Sequence, residues 1–198
     1  MTFEIIVFLI VYIICGLSPA IILCKLKKGE DIRNLGSGNA GTTNAIRVLG
    51  KFLGILVFIL DILKTVIAYY VVWIIAFLFK QDFSIAIKSI FMVAAVIGHC
   101  YPIMYGFKGG KGVVTVLVAS LMINFEIGIV AIITGIIVIA ISRMVSLGSI
   151  CGVLLYLIMT IVMNIEYTIP TLIIALLIIF KHRKNIKRIM KNEENKLF

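Results

Sequence analysis

Long apolar runs separated by short polar segments set the pattern of this chain. The runs cover residues 3–24, 52–79, 84–105, 111–124, 126–142, 146–164 and 166–181. They are continuous rather than alternating, which predicts helices and argues against a β-barrel. Most are long enough to cross roughly 30 Å of hydrocarbon at about 1.5 Å per residue, although 111–124 is short for a full crossing. The pattern predicts an all-α, polytopic integral membrane protein with seven transmembrane helices, forming one domain over residues 1–198. The segment Asn124-Phe125-Glu126 decides the count, because a continuous helix through it gives six spans.

Composition agrees with that class. Hydrophobic residues make up 62% of the chain and charged residues 14%, and the mean hydropathy is +1.19. A soluble domain of 198 residues needs far more polar surface. The formal net charge of +10 raises the question of nucleic acid, but the positions of the cations answer it. With seven spans and the N-terminus outside, the inner segments hold Lys25 to Lys51, Lys108, Lys111, Arg143 and the basic stretch Lys181 to Lys196. Lys80 lies in an outer loop with Lys88 near that end of a span, and Glu4, Asp82, Glu126 and Glu166 mark the outer ends. This is the positive-inside distribution, and six spans would split it between the two faces. The N-terminus lacks the basic region of a cleavable signal, so the first run is expected to stay as a span. Cys15, Cys24, Cys100 and Cys151 show no CxxC spacing and read as buried thiols.

Three polar motifs interrupt the apolar pattern: Gly36 to Arg47, Gly98 to Gly112, and His182 to Arg188. Cations beside apolar helices are costly and point to function. Glycines beside them expose backbone N–H groups, and N–H groups with cations bind phosphate. All three motifs fall on the predicted cytoplasmic face, which suggests one composite site for phosphorylated molecules.

Gly36-Ser37-Gly38-Asn39-Ala40-Gly41 matches GxGxxG, and Asp61 stands where a ribose-binding acid would. No strand precedes the glycines and Asp61 sits in an apolar helix, so a dinucleotide site is rejected. An ordinary polar loop is the plain alternative. The sharper reading is a glycine loop leading into a helix that begins near Thr42-Thr43-Asn44, with Thr and Asn as caps and Arg47 reaching back to a phosphate. Lys108-Gly109-Gly110-Lys111-Gly112 is not a Walker A loop, because Tyr105 replaces its first glycine and Gly112 its Ser/Thr. It still suits close approach of backbone to phosphate, against the plain alternative of a turn at headgroup level. Pro102 is placed to end or kink the third span.

His99 and His182 are the two histidines. His99 reads as structural. His182 is the better functional candidate, with Asn185 one turn away on the same helical face, although the basic tail also suits an anchor on anionic lipid. Asp61 and Lys64, at i and i+3, are expected to pair. Gly50/Gly54 and Gly148/Gly152 have GxxxG spacing and predict close helix contacts. Ser146 reads equally as helix cap or ligand. No cluster of aspartates suits Mg²⁺, and HExxH, GxSxG and a Cys/His dyad by spacing are absent.

Together the motifs resemble those of the bacterial membrane acyl-phosphate:glycerol-3-phosphate acyltransferases, the PlsY family. Its first pattern, GSGNxGxTNxxR, appears at Gly36 to Arg47, and its DxxKG at Asp61 to Lys64 with Thr65 for the glycine. The second, GHxFPxxxxFKGGKGVAT, appears at Gly98 to Thr115 with Tyr101 for Phe and Val114 for Ala. The third, HRxNIxRLxxGxE, begins at His182 and includes Asn185 and Arg188, with Asn192 for the glycine before Glu194. The similarity covers essentially the whole chain.

The resemblance implies seven spans with the C-terminus and site cytoplasmic, in the bacterial inner membrane. It implies transfer of a fatty acyl group from acyl phosphate to the sn-1 hydroxyl of glycerol 3-phosphate, giving lysophosphatidic acid and inorganic phosphate. It implies Ser37, Arg47, His182 and Asn185 as catalytic residues. Gly36, Gly38, Asn39, Gly41, Thr43, Asn44, Lys108, Gly109, Gly110, Lys111, Gly112 and Ser146 are implied to bind substrate or phosphate. No metal, cofactor, nucleic acid or obligatory protein partner is implied, and membrane lipid surrounds the enzyme. The proton acceptor stays open between His182 and a substrate phosphate oxygen, with substrate assistance favoured because no carboxylate is placed to polarise His182. The competing function class is a transporter of small phosphorylated anions, which the lack of an internal repeat and the one-sided motifs disfavour.

Overall fold

The computed structural model describes residues 2–196, and among them all regular structure is helical. The chain divides into two compact units, Met1–Ala119 and Ser120–Phe198.

The first unit opens with α1 (Thr2–Gly16) and α2 (Pro19–Lys28), which together form a 26-residue apolar span over Phe3–Lys28. The expected single run over 3–24 is therefore broken. Pro19 has no N–H to continue a helix, and the Ser18 hydroxyl accepts from Ile21 N at 3.5 Å as a cap. Lys25, Lys27 and Lys28 crowd the last turn, where cations offset the helix dipole, and Gly29 closes it in the left-handed conformation. A loop leads to α3 (Thr42–Leu49), which turns back on α4 (Lys51–Leu78). Gly50 is the turn between them rather than a helix contact. Gly54 is the contact, since a side chain there would strike the Ile46 backbone.

Helix α4 is inside-out by the standards of a soluble protein. Its outward residues include Ile55, Phe58, Leu63, Ile67, Trp73 and Phe77, whereas Asp61, Lys64 and Thr65 are buried. Hydrocarbon solvates the first set at no cost, and the second set needs protein partners. Next comes α5 (Ile85–Cys100), which packs along α1 with Gly98 against the Tyr12 backbone. As expected, Pro102 follows the end of that helix.

The expected fourth span shortens to α6 (Val113–Ile123), 11 residues or about 16 Å. Residues 106–112 are spent in the loop before it. The break expected near Asn124 is present, and the Asn124 side chain caps α7 (Phe125–Ser142) by accepting from Ile127 N at 3.1 Å.

In the second unit α7 packs closely on α8 (Val145–Met163), where Gly148 and Gly152 meet Gly135 and Ala131. That GxxxG pair is a helix contact, as its spacing predicts. A short 3₁₀ turn leads into α9 (Thr168–Lys181), and α10 (Arg183–Met190) follows at a bend of 59°. Among the described residues five helical segments are long and apolar enough to cross a membrane, and the bent α9–α10 pair, counted as one span, brings the number to six. Cys15, Cys24 and Cys100 are buried, and no disulfide joins the four cysteines among the described residues.

Candidate active site

The first glycine loop is held from beneath by one side chain. Asn44 is 1% exposed. Its Oδ1 accepts from Ser37 N at 2.8 Å, and its Nδ2 donates to Leu35 O at 3.0 Å and Ile32 O at 3.3 Å. Gly36 has φ +59°, and a Cβ there would strike the Asn44 amide, so only glycine fits. The expected capping by Thr42, Thr43 or Asn44 is not found. Gly41 takes the cap position of α3 without a side-chain bond, because the Asn44 amide is committed to the loop. Thr42 Oγ1 is buried without a hydrogen-bond partner. Ser37 and Gly38 face outward, and Asn39 and Thr43 are half-buried. Arg47 is exposed and makes no hydrogen bond or ion pair among the described residues.

The second loop folds back on the end of α5. Gly109 N donates to Cys100 O at 3.2 Å and Gly110 N to His99 O at 3.1 Å. The expectation that this run bares its N–H groups is therefore corrected: these two satisfy carbonyls at the helix terminus. In the first loop the N–H groups of Ser37, Gly38 and Gly41 are likewise engaged within the loop. Side chains are what the loops offer. Lys108 is exposed without a side-chain partner among the described residues, Lys111 is half-buried, and Gly112 is buried at the entry to α6.

Arg33, read from sequence only as an inner-face cation, joins the loops. Its Nη2 donates to Asp31 Oδ2 at 2.6 Å, and its Nη1 donates to Tyr105 O at 2.6 Å and Lys108 O at 3.1 Å. That bond network holds the Asp31 carboxyl below its ordinary pKa. Gly110 completes the junction, because a Cβ there would meet both Ala40 O and the His99 ring.

Beneath the loops lies the expected Asp61–Lys64 pair, with Nζ 2.7 Å from Asp61 Oδ1. Lys64 also donates to Leu17 O at 2.7 Å, a carbonyl at the α1–α2 break, and lies 3.0 Å from His99 Nδ1. Asp61 is thus committed to a buried charge cluster, in keeping with rejection of a ribose-binding role.

In the second unit, His182 ends α9 at the bend rather than starting a continuous helix with Asn185. Its Nδ1 donates to Ile178 O at 2.8 Å, the carbonyl fixing the proton on that nitrogen. Both His182 and Asn185 are buried. Asn185 Nδ2 and Ser146 Oγ donate to Glu194 Oε1 at 2.6 and 2.9 Å, and Arg188 Nε donates to Oε2 at 2.7 Å. Burial pushes the Glu194 pKa up, but the bonds from Arg188, Asn185 and Ser146 outweigh it and hold the carboxyl below its ordinary value. Glu194 carries no site role in the sequence reading, where it ends the third motif. Asn192 adopts φ +58°, the left-handed conformation that asparagine tolerates best after glycine, so the tail turns despite the replacement.

The model of the family described as glycerol-3-phosphate acyltransferase matches residues 5–192. The glycerol-3-phosphate acyltransferase of Coxiella burnetii (strain RSA 493 / Nine Mile phase I) is 40% identical over 190 residues, covering 96% of this chain and 95% of that one. That of Colwellia psychrerythraea is 37% identical, covering 94% and 92%. Among solved structures, PlsY (YgiH), an integral membrane glycerol 3-phosphate acyltransferase in its glycerol 3-phosphate form, superposes with a TM-score of 0.85 at 32% identity. The match covers 98% of this chain and 94% of that one. Its lysophosphatidic acid form gives a TM-score of 0.81 at 30% identity, with the same coverage.

Proposed function

The chain belongs to the glycerol-3-phosphate acyltransferase family and is a multi-pass membrane acyltransferase, and on that premise we propose its donor, its site residues and its orientation. The donor is acyl phosphate, and the acceptor is the sn-1 hydroxyl of glycerol 3-phosphate. The acceptor oxygen attacks the acyl carbonyl carbon and forms the ester bond. The bond from that carbon to the phosphate oxygen breaks, and inorganic phosphate leaves. An acyl phosphate is a mixed anhydride, so the phosphate departs readily and no covalent enzyme intermediate is needed. The hydroxyl proton passes to a substrate phosphate oxygen, with His182 as the alternative acceptor.

The observation that carries this reading lies in the first unit. Ser37 Oγ, Arg47 and Lys108 are outward-facing and unpartnered among the described residues, beside two glycine loops joined through Arg33. Arg47 and Lys108 neutralise substrate phosphate, and Ser37 donates to it or to the carbonyl oxygen as charge grows there. Gly36, Gly38, Asn39, Gly41, Thr43, Gly109, Gly110, Lys111 and Gly112 shape and line the phosphate-binding surface. Asn44 acts by holding the first loop in place. His182, Asn185 and Ser146 serve the same reaction from the second unit.

Residues 1–198 act as one catalytic domain, which the single family match over residues 5–192 supports. The orientation is seven membrane segments with the N-terminus outside and the C-terminus cytoplasmic, in a bacterial inner membrane. The cation distribution supports it. The buried Pro102, Gly110 and Gly112 support a second loop that dips toward the bilayer and shortens the path left to α6. Neither a cofactor nor an obligatory partner protein is required. The test is phosphate release by detergent-purified protein given palmitoyl phosphate with and without glycerol 3-phosphate. Release that needs both substrates, matched by lysophosphatidic acid, supports the reading. Release without acceptor indicates an acyl phosphatase, and none from folded protein in detergent or lipid removes the reading.

A further inference from the structure

Lys64 is buried in the middle of α4 and has three donors and no acceptor. Three acceptors surround its Nζ: Asp61 Oδ1 at 2.7 Å, Leu17 O at 2.7 Å and His99 Nδ1 at 3.0 Å. Asp61 is held as an ion pair, and the ammonium hydrogen-bonds to Leu17 O and His99 Nδ1. Because an ammonium can only donate, Nδ1 must present its lone pair, so the ring proton sits on Nε2. Asp61 approaches the same ring at 3.6 Å, which leaves the ammonium as the group that decides the tautomer. The opposite edge of the ring then matters. Nε2 lies against Gly110, at the place where a Cβ would also meet Ala40 O. Ala40 belongs to the first glycine loop and Gly110 to the second. His99 also supplies the backbone carbonyl that receives Gly110 N at 3.1 Å.

We propose that His99 is a positioning residue for acyl transfer: Lys64 fixes its tautomer, and its Nε2–H sets the junction of the two glycine loops that hold the substrate phosphate. From sequence His99 reads as structural, and the geometry extends that role. The cluster couples the α1–α2 break, through Leu17 O and Lys64, to the backbone from which Lys108 projects. The inference rests on the acyltransferase reading of that site, and the experiment separates the two.

Two near-isosteric variants divide the ring's functions. In His99→Asn the amide reaches the Nδ1 position and can still accept from Lys64, but nothing reaches the loops. In His99→Gln the amide nitrogen reaches the Nε2 position, but the acceptor beside Lys64 is displaced. The two variants are purified in detergent beside wild type. KM for glycerol 3-phosphate, KM for palmitoyl phosphate, kcat and the thermal midpoint are measured for each.

The expected result is a crossed pattern. His99→Asn keeps most of its thermal midpoint but raises a substrate KM roughly tenfold, the scale of one hydrogen bond left unmade. His99→Gln loses more of the midpoint, yet keeps KM within about threefold, the conservative rescue that a donor role requires. If KM and midpoint worsen together in the same variant, His99 is structural only and the proposal falls. A wild-type protein with no turnover would sink the acyltransferase reading instead.

Should either variant fail to fold, wild type still decides the matter by ¹⁵N NMR of ring-labelled histidine. With two histidines in the chain, the His182→Asn spectrum assigns the signals by subtraction. An Nε2–H tautomer for His99 whose signal moves on addition of glycerol 3-phosphate is the expected outcome. An Nδ1–H tautomer, or a signal indifferent to the substrate, overturns the proposal.

Discussion

Arg33 Nη1 donates to the backbone carbonyl of Lys108 at 3.1 Å, so a side chain from before the first glycine loop fixes the backbone that carries the second loop's exposed lysine. The same nitrogen serves Tyr105 O, and the other guanidinium nitrogens hold Asp31. A planar fork can meet all of these at once, and a flexible ammonium cannot. Arg33→Lys is therefore expected to keep the charge and lose the geometry, raising a substrate KM roughly tenfold with a smaller effect on kcat. Steady-state kinetics on the purified variant checks it. A kinetically normal Arg33→Lys would show that charge alone suffices.

The partner of that clamp predicts an acid limit. Asp31 has its pKa lowered, chiefly by the hydrogen bond from Arg33. A depressed folded pKa means that the carboxylate's contribution is present above the unfolded value of about 4 and is lost as pH falls through the folded one. The thermal midpoint of wild type is thus expected to drop between about pH 5 and pH 3 by more than that of Asp31→Asn. Equal drops would place the acid sensitivity elsewhere.

Ser37 and Asn44 separate chemistry from scaffold within one motif. The loop is held through Ser37 N and the Asn44 amide, and the Ser37 hydroxyl takes no part. Ser37→Ala should leave the thermal midpoint near wild type and abolish turnover, as should Arg47→Ala. Asn44→Ala removes three hydrogen bonds, one buried and two part-buried, and should lower midpoint and activity together, by about 2 kcal/mol or more in stability. Near-normal turnover in Ser37→Ala or Arg47→Ala would take that residue out of the site.

The contrast shows what the sequence made legible and why. Periodicity and apolar length gave the helices, the break at Asn124, the stop at Pro102 and the Asp61–Lys64 pair, all local features. Hydropathy overstates the length of α6, because Gly109 and Gly110 return to carbonyls of α5, which it does not register. Asn44 looked like a cap because capping residues and loop clamps share the same chemistry. Arg33 meets carbonyls 72 and 75 residues away, and Glu194 meets Ser146 48 residues away, so neither partnership leaves a local signal. The one trace of Glu194 was its place at the end of the third motif.

Glu194 yields the next prediction. Ser146, Asn185 and Arg188 converge on its carboxylate from α8 and α10. Glu194→Ala strips all three of their acceptor and leaves the Arg188 charge without its partner. Activity should fall by ten- to a hundredfold with reduced thermal stability, and Glu194→Gln should recover part of both, because its amide oxygen still accepts. An active, stable Glu194→Ala would mean that Ser146 and Asn185 hold their positions without the tail.

Gly110 offers the sharpest steric test. A methyl group there meets Ala40 O at 2.7 Å, a backbone atom that cannot rotate away, and also the His99 ring edge. Relief requires the loops to separate, so Gly110→Ala should cost about 1–3 kcal/mol of stability. Because the strain falls where the loops join, turnover should drop at least tenfold even at temperatures where the variant remains folded. Gly16→Ala is the control: its nearest neighbours would be 3.5 Å away, in ordinary contact, at the end of α1. It should change the thermal midpoint little or raise it slightly, as alanine does in place of a helical glycine. Equal behaviour of the two variants would show that the loops have room to part, and that their junction is not what sets the rate.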